Sequence, residues 1–276
     1  MNLVIQGARV DALTLKTLAA LSAASSIVQL APHAFRLVDA VAHDDIEPLC
    51  TREHLDHTWV PGGRRLDDFR LFVTDMDSTL INIECIDEIA DLCGVKGEVA
   101  AITEAAMRGE IDFAESLTRR VALLRGLPVD ALAQVYEERL QLNPGAERLL
   151  RELKAAGFYT VLVSGGFTYF TDRLKTRLGF DEAWANELEV DNGTLSGRIS
   201  GPVVDAAAKA AHLAGACARH GVDLSQAIAA GDGANDLPML GAAGFSVAYR
   251  AKPVVREAAD CRLDHSGLDG ILNVLR

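Results

Sequence analysis

Arg70-Leu71-Phe72-Val73-Thr74-Asp75-Met76-Asp77-Ser78-Thr79 is the stretch that decides the fold. Leu71 to Val73 is a short, β-prone apolar run bounded by polar residues. Such a run reads as a strand buried on both faces, the kind found in parallel sheets. It feeds directly into two aspartates one residue apart. In open α/β sheets ligands bind outside the carboxyl ends of the strands, which is where Asp75 and Asp77 stand. Two carboxylates so close repel, which raises one pKa or demands a cation. Mg²⁺ meets that demand, because it is hard, takes few protein carboxylates and commonly shares its shell with phosphate oxygens. An aspartate can also be a nucleophile that carries a phosphoryl group. An acidic turn after a strand is the alternative on this spacing alone.

Three later stretches extend the pattern. Val161-Leu162-Val163-Ser164-Gly165-Gly166 is a second buried-type strand, ending in a hydroxyl and two glycines. Lys209 lies in a helix of small residues, Asp205 to Ala218, and Ile228-Ala229-Ala230-Gly231-Asp232-Gly233-Ala234-Asn235-Asp236 is a third strand with carboxylates at its end. In order these read Asp-x-Asp-x-Thr, Ser, Lys and Gly-Asp-Gly-x-Asn-Asp. The chain therefore resembles the haloacid dehalogenase superfamily of phosphotransferases, whose motifs follow this order on these elements.

Outward from the strands, the alternation predicts the architecture. Asn82 to Leu140 is helical, with helices expected over Glu84–Cys93, Gly97–Met107, Asp112–Leu124 and Val129–Leu140, punctuated by Gly94, Gly109 and Gly126-Leu127-Pro128. In the resembled superfamily an insertion at this point is a cap over the active site. Strands are then expected at Tyr159–Val163, Ala227–Ala230 and Phe245–Ala248. Helices are expected at Pro144–Ala156, Thr168–Leu178, Asp236–Ala243, Pro253–Ala259 and from Leu268 onward. Asp191-Asn192-Gly193 between Glu187–Val190 and Thr194–Ile199 reads as a hairpin, because Asn-Gly favours a tight turn. Strands alternating with helices make right-handed βαβ units on a mostly parallel sheet. The fold class is thus α/β, a Rossmann-like core (68–80 and 142–276) with a helical cap (82–140). Ahead of it lies a small α+β unit (1–63), with strands at Asn2–Gln6, Ile27–Leu30 and Phe35–Val38 and helices at Asp11–Ala24 and Asp44–His54. At about sixty residues its own core would be marginal. It reads as an accessory or dimerising module, which leaves a homodimer open, and Pro61-Gly62-Gly63-Arg64-Arg65 reads as the linker.

Composition narrows the partners. The 276 residues carry a net charge of −12 and are 49% hydrophobic. A balance so acidic argues against nucleic acid or an anionic membrane, which need basic patches. Cys50, Cys85, Cys93, Cys217 and Cys261 are scattered and odd in number, a usage that fits a reducing cytosol rather than a disulfide framework or zinc site. Met1 to Val10 lacks the pattern of a signal peptide, and Leu18 to Ala31 is too short to span a bilayer. A cytoplasmic, soluble protein is expected.

The roles follow from residue type and position. Asp75 is the expected nucleophile, forming an aspartyl-phosphate. Asp77 is the expected acid–base, protonating the leaving alkoxide and then activating water. The superfamily resemblance implies that Asp77 meets the metal through its main-chain carbonyl, with Asp75 and Asp232 as the other contacts. Thr79 tightens the loop or is a plain turn residue. Ser164 is placed to donate to a phosphoryl oxygen, and Gly165 and Gly166 let backbone N–H groups approach. Lys209 opposes the dipole of its helix, a placement that a site needing positive charge beside Asp75 would explain; an exposed lysine is the alternative. Asn235 is a candidate ligand-contacting amide. Asp236 either caps the next helix or supports the metal's surroundings. Phe113, Leu117, Val121 and Leu124 form an apolar stripe that contains Arg120 but not Arg119, and a guanidinium on a buried face needs an anion, either an internal Glu or a substrate carboxylate.

Within the superfamily, Asp75 to Ala90, Ile102-Thr103-Glu104-Ala105-Ala106-Met107 and Phe113 to Val121 resemble the phosphoserine phosphatases across about residues 70 to 276. The resemblance implies Glu84 for the serine ammonium and Arg120 for the carboxylate, with Met107 and Phe113 covering the site. It implies Mg²⁺-dependent hydrolysis of O-phospho-L-serine, the last step of serine synthesis. The alternatives are a phosphotransferase or phosphatase acting on another small hydroxy compound and, in another class, a phospho-accepting switch or binding module.

Overall fold

The computed structural model describes residues 1–276. The chain opens with β1 (Asn2–Gln6), α1 (Ala12–Leu21), β2 (Ser26–Ala31), β3 (Ala34–Val38), α2 (Ile46–Arg52) and β4 (Asp56–Val60). The strands form an antiparallel sheet in the order β2-β3-β1-β4. Alternation along β1 splits its side chains between two cores. Leu3 and Ile5 pack with Leu15, Leu18 and Leu49 of the helices, whereas Val4 joins the large core of the rest of the chain, as does Val60. β4 was not expected from the sequence: it is five residues long, opens with Asp56-His57, and exists because it pairs with β1, over fifty positions earlier.

The second sheet begins with β5 (Leu71–Thr74), buried at every position. It is followed by α3 (Cys85–Leu92), α4 (Lys96–Met107), α5 (Phe113–Ala122) and α6 (Asp130–Gln134), the last running into a wider turn over Val135–Arg139. Then come α7 (Ala146–Ala155), β6 (Tyr159–Phe167), α8 (Thr168–Leu178), β7 (Glu182–Asp191), β8 (Thr194–Ser200), α9 (Ala206–His220), β9 (Ala227–Gly231), α10 (Leu237–Ala242), β10 (Phe245–Tyr249), α11 (Pro253–Ala258), β11 (Cys261–Leu263) and α12 (Gly270–Leu275). The order is β11-β10-β9-β5-β6-β7-β8, parallel except for the β7–β8 hairpin. Asn192 and Gly193 both take positive φ there, as a tight Asn-Gly turn requires.

The apolar run of β5 is covered on both sides. Phe72 faces one core with Leu149, Leu153, Phe170 and Ile271; Leu71 and Val73 face the other with Leu213, Cys217, Met239 and Val255. That two-sided burial is why the run reads as continuous rather than alternating. β6 extends four residues past Val163, with a register break before Phe167, so Ser164, Gly165 and Gly166 lie within an irregular strand end. β7 starts at Glu182 instead of Glu187, its first residues pairing parallel with β6. The first sheet docks on the second through polar bonds as well as Val4 and Val60. Asn273 Nδ2 donates to Gln6 Oε1 at 3.0 Å, and the Asp56 carboxylate accepts from the main-chain N–H groups of Asp264, His265 and Ser266. No helix is long and apolar enough to cross a membrane.

Candidate active site

β5 sits in the middle of the parallel sheet, between β6 and β9, so the ends of these three strands converge. Asp75 leaves β5 with its N–H bonded to Ala230 O at 3.0 Å. The chain then turns sharply: Asp77 is extended, Ser78 is left-handed at φ 57°, and Ile81 N–H returns to Met76 O. Asn143 clamps this turn, donating through Nδ2 to Thr79 O at 2.8 Å and Ile81 O at 2.9 Å. Asn186 does the same for the β6 end. Its Nδ2 donates to Gly165 O at 2.8 Å while its Oδ1 accepts from Val204 N–H at 2.8 Å.

Lys209 projects from the first turn of α9, whose Asp205 cap accepts from Ala208 N–H at 2.8 Å. The side chain is 1% exposed, and its ammonium donates to Asp75 Oδ1 at 2.6 Å and Asp236 Oδ1 at 2.7 Å. This is the buried of the two placements left open by the sequence. Burial opposes the charge, but Asp75 and Asp236 outweigh it and hold the ammonium above its ordinary range. The other oxygen of Asp236 accepts from the N–H groups of Asp232 and Gly233 at 3.1 and 3.0 Å. Asp236 thus shapes the Gly231–Asp236 loop, and its side chain makes no cap bond to α10. Thr79 Oγ1 donates to Asp232 Oδ1 at 3.2 Å, tying the first motif to the last.

Asp75, Asp232 and Asp236 bring carboxylate oxygens within 4.8 Å of one another, a grouping able to hold a metal ion. Asp77 is outside it by its side chain. One ammonium faces three carboxylates, so negative charge is left over. Burial and the neighbouring Asp236 accordingly push Asp75 well above the usual carboxylate range, and burial and Asp236 push Asp232 up to about 7. A hard divalent cation on these oxygens removes that imbalance, so the donor set fits one.

Asp77 points elsewhere. Burial and the Glu84 carboxylate raise its pKa against the opposing pull of the nearby Cys85 thiol and N–H, and its Oδ1 is buried without a well-formed hydrogen bond. Its Oδ2 lies where a side chain at position 166 would go: a Cβ on Gly166 would come within 2.9 Å of it and 3.0 Å of Ser164 Oγ. Ser164 Oγ meanwhile accepts from Gly166 N–H at 2.8 Å. Glu84, at the start of α3, accepts from Ser78 Oγ at 2.7 Å. Arg120 lies on the inner face of α5 beside buried Ser116, Leu117 and Val121, and its Nε reaches only Ser116 O at 3.4 Å. Arg119 faces out and pairs with Glu115.

These groups share one cavity of about 430 Å³, which Asn235, Gly165, Met107 and Phe113 also line. It therefore brings together every residue singled out for catalysis or substrate from the sequence. Phe113 crowds Gly165 so closely that a Cβ there would lie 3.0 Å from its Cζ. Sequence reasoning missed the clamps Asn143 and Asn186, the Ser78–Glu84 bond, and Lys252, which lines the cavity and donates its N–H to Asp232 O at 3.0 Å.

The fold and the site define a haloacid dehalogenase-like hydrolase, and the family model of that description matches residues 72–241. A second model, described as a domain of unknown function, matches residues 3–46. A phosphoserine phosphatase of a Polaromonas species is 55% identical over 217 residues, 77% of this chain and 92% of that one. The solved structure of a probable phosphoserine phosphatase from Vibrio cholerae aligns at a TM-score of 0.88 and 37% identity, over 99% of this chain and 86% of that chain. A phosphoserine phosphatase solved as a phospho-aspartyl intermediate analogue aligns at a TM-score of 0.70 and 40% identity, over 75% of this chain and 99% of that chain. The chain belongs to the phosphoserine phosphatase family.

Proposed function

We propose that this chain hydrolyses O-phospho-L-serine to L-serine and inorganic phosphate with Mg²⁺ as its metal, closing serine biosynthesis. The observation that carries this is the single cavity that joins the strand-end residues Asp75, Asp77 and Ser164 and the helix residue Lys209 to Glu84 and Arg120 of the helical insertion. Phosphoserine has three charged groups, and each has a counterpart there. The strand ends take the phosphate, Glu84 takes the ammonium, and the unpaired guanidinium of Arg120 takes the carboxylate.

Asp75 attacks phosphorus in line, forming an aspartyl-phosphate as the bond to the serine oxygen breaks. Asp77 delivers a proton to that leaving oxygen. It then takes one from the water that hydrolyses the acyl phosphate. Its raised pKa and an Oδ1 without a well-formed hydrogen bond support this role. Lys209 holds the nucleophile in place and balances its charge, while Ser164, the N–H groups beside Gly165 and the Asn235 amide bind phosphoryl oxygens. Mg²⁺, held by Asp75, Asp232 and the Asp77 carbonyl, would offset the charge on those oxygens; Asp236 orients the loop that carries Asp232.

Residues 68–80 and 142–276 are the phosphatase core in this proposal, 82–140 the cap that excludes water, and 1–63 an accessory or dimerising module. The five free cysteines support a cytoplasmic location. Phosphate release should be measured over phosphoserine, phosphoethanolamine and sugar phosphates, with and without Mg²⁺. Phosphoserine should be preferred and the metal required. A higher kcat/KM for a sugar phosphate would overturn the assignment.

A further inference from the structure

Ser78 stands in a conformation that its residue type disfavours. Its φ is 57° and its ψ −7°, the left-handed region in which the Cβ of an ordinary residue crowds the backbone. Glycine adopts this conformation freely, and asparagine more readily than serine. The loop imposes it. Ser78 N–H bonds to Ile83 O at 3.1 Å, and Asn143 fixes Thr79 O and Ile81 O, so the chain reverses at this residue whatever its side chain. The fold alone would be served better by glycine.

What serine adds is a hydroxyl, and that hydroxyl has one use: Oγ donates to Glu84 Oε1 at 2.7 Å. No other side chain or main-chain N–H donates to the Glu84 carboxylate. Glu84 precedes the first turn of α3 and makes no cap bond to it. Without Ser78 the carboxylate would swing about its side-chain torsions at the edge of the cavity. With Ser78, one oxygen is tied down and the carboxylate is fixed at the wall of the cavity that Glu84 lines.

We infer that Ser78 is a positioning residue for substrate selection: its hydroxyl holds Glu84 in the orientation that receives the substrate's ammonium, at the expense of backbone comfort. The inference rests on the assignment of Glu84 to the ammonium in the function proposed above. It predicts that stability and selectivity part company at this position.

The test compares Ser78→Gly, Ser78→Ala and Ser78→Asn with Glu84→Gln, in the full chain with Mg²⁺. Two substrates are used, O-phosphoserine and the phosphate ester of 3-hydroxypropanoate, which keeps the phosphate and carboxylate but lacks the ammonium. Ser78→Gly should melt no lower than wild type, yet lose about tenfold in kcat/KM for phosphoserine, chiefly through KM, as the loss of a charge-assisted orienting bond implies. The amine-free ester should suffer much less, so the preference between the two substrates narrows. Ser78→Ala should show the same narrowing with lower stability than Ser78→Gly, because it keeps the strain and loses the bond. Ser78→Asn, which tolerates the left-handed backbone and offers an amide donor, should recover part of the preference. If Glu84→Gln collapses the preference while Ser78→Gly and Ser78→Ala both retain it, Glu84 needs no support and the inference is wrong. If Glu84→Gln itself leaves the preference intact, the ammonium is read elsewhere, and the underlying assignment fails along with the inference.

Discussion

Arg120→Ala tests how the substrate is recognised. The guanidinium lies on the inner face of α5, and no carboxylate reaches it within ion-pair distance; its one bond is the long contact to Ser116 O at 3.4 Å. Burial lowers its pKa, while Asp87, Glu84 and Asp77 hold it up from further away. A half-desolvated charge with no direct partner is costly, and a substrate carboxylate in the cavity supplies the missing anion. Removing one member of such a buried, hydrogen-bonded charge pair costs about 2–5 kcal/mol. The distant carboxylates already offset part of the Arg120 charge, so the lower half of that range applies. About 3 kcal/mol corresponds to a loss of about 10²-fold in kcat/KM for phosphoserine. Phosphoethanolamine has the phosphate and ammonium but no carboxylate. Wild type should use it poorly, and Arg120→Ala should discriminate far less between the two. Arg119→Ala, whose partner Glu115 is on the outer face, is the control and should shift neither substrate much. Steady-state phosphate release gives all six constants. A folded Arg120→Ala enzyme that keeps its full preference for phosphoserine would show that the arginine serves the helix packing and that the carboxylate is read elsewhere.

Three further outcomes follow from the strand ends. Chelation of divalent metal should abolish turnover and Mg²⁺ should restore it; undiminished activity in protein verified to be metal-free would refute the carboxylate-cluster argument. Asp75→Asn should form no phosphoenzyme with labelled substrate, so covalent label on that variant, seen by mass spectrometry, would move the nucleophile elsewhere. Lys209→Met leaves Asp75 and Asp236 buried without their counter-charge, which should destabilise the fold by about 3–5 kcal/mol and eliminate turnover. A melting temperature equal to wild type, read by calorimetry without metal, would show that the carboxylates do not depend on the lysine.

Much of this was legible because Asp75, Asp77, Ser164 and Asp232 follow strands recognisable by their own apolar runs, with Lys209 reaching them from the first turn of α9. Leu71–Val73, Val161–Val163 and Ile228–Ala230 are buried on both sides, and the residues that follow them had to emerge at one edge of the sheet. The helical stripe of α5 likewise separates Arg120 from Arg119 on spacing alone. What was not legible depends on contacts distant in sequence. β4 is held by β1, Asn186 reaches back to Gly165, and Asn143 closes a turn more than sixty residues earlier. Asp236 was undecided between a helix cap and a site role because both place an acid at a helix start; only the distance to Lys209 and the two loop N–H groups separates them.

The two aspartates one residue apart can hold different jobs because the turn between them divides their surroundings. Along a straight strand, Asp75 and Asp77 would point to the same side and share one field. Here β5 ends at Thr74, and the left-handed Ser78 sends the chain back on itself. Asp75 stays over the strand ends, bonded to the Lys209 ammonium and within reach of Asp232 and Asp236. Asp77 instead faces the β6 end, with Oδ2 filling the space that Gly166 leaves and Oδ1 without a well-formed hydrogen bond. One carboxylate is thereby surrounded by charges that favour its ionised form once a cation is bound, as a nucleophile requires. The other is buried near Glu84 with an oxygen that holds no well-formed bond, as a group that must take and return a proton requires. A side chain larger than hydrogen at position 166 would collide with Asp77 Oδ2, Met76 and Ser164 Oγ and force Asp77 out of this placement. The second glycine of Ser164-Gly165-Gly166 is therefore what gives Asp77 its separate place.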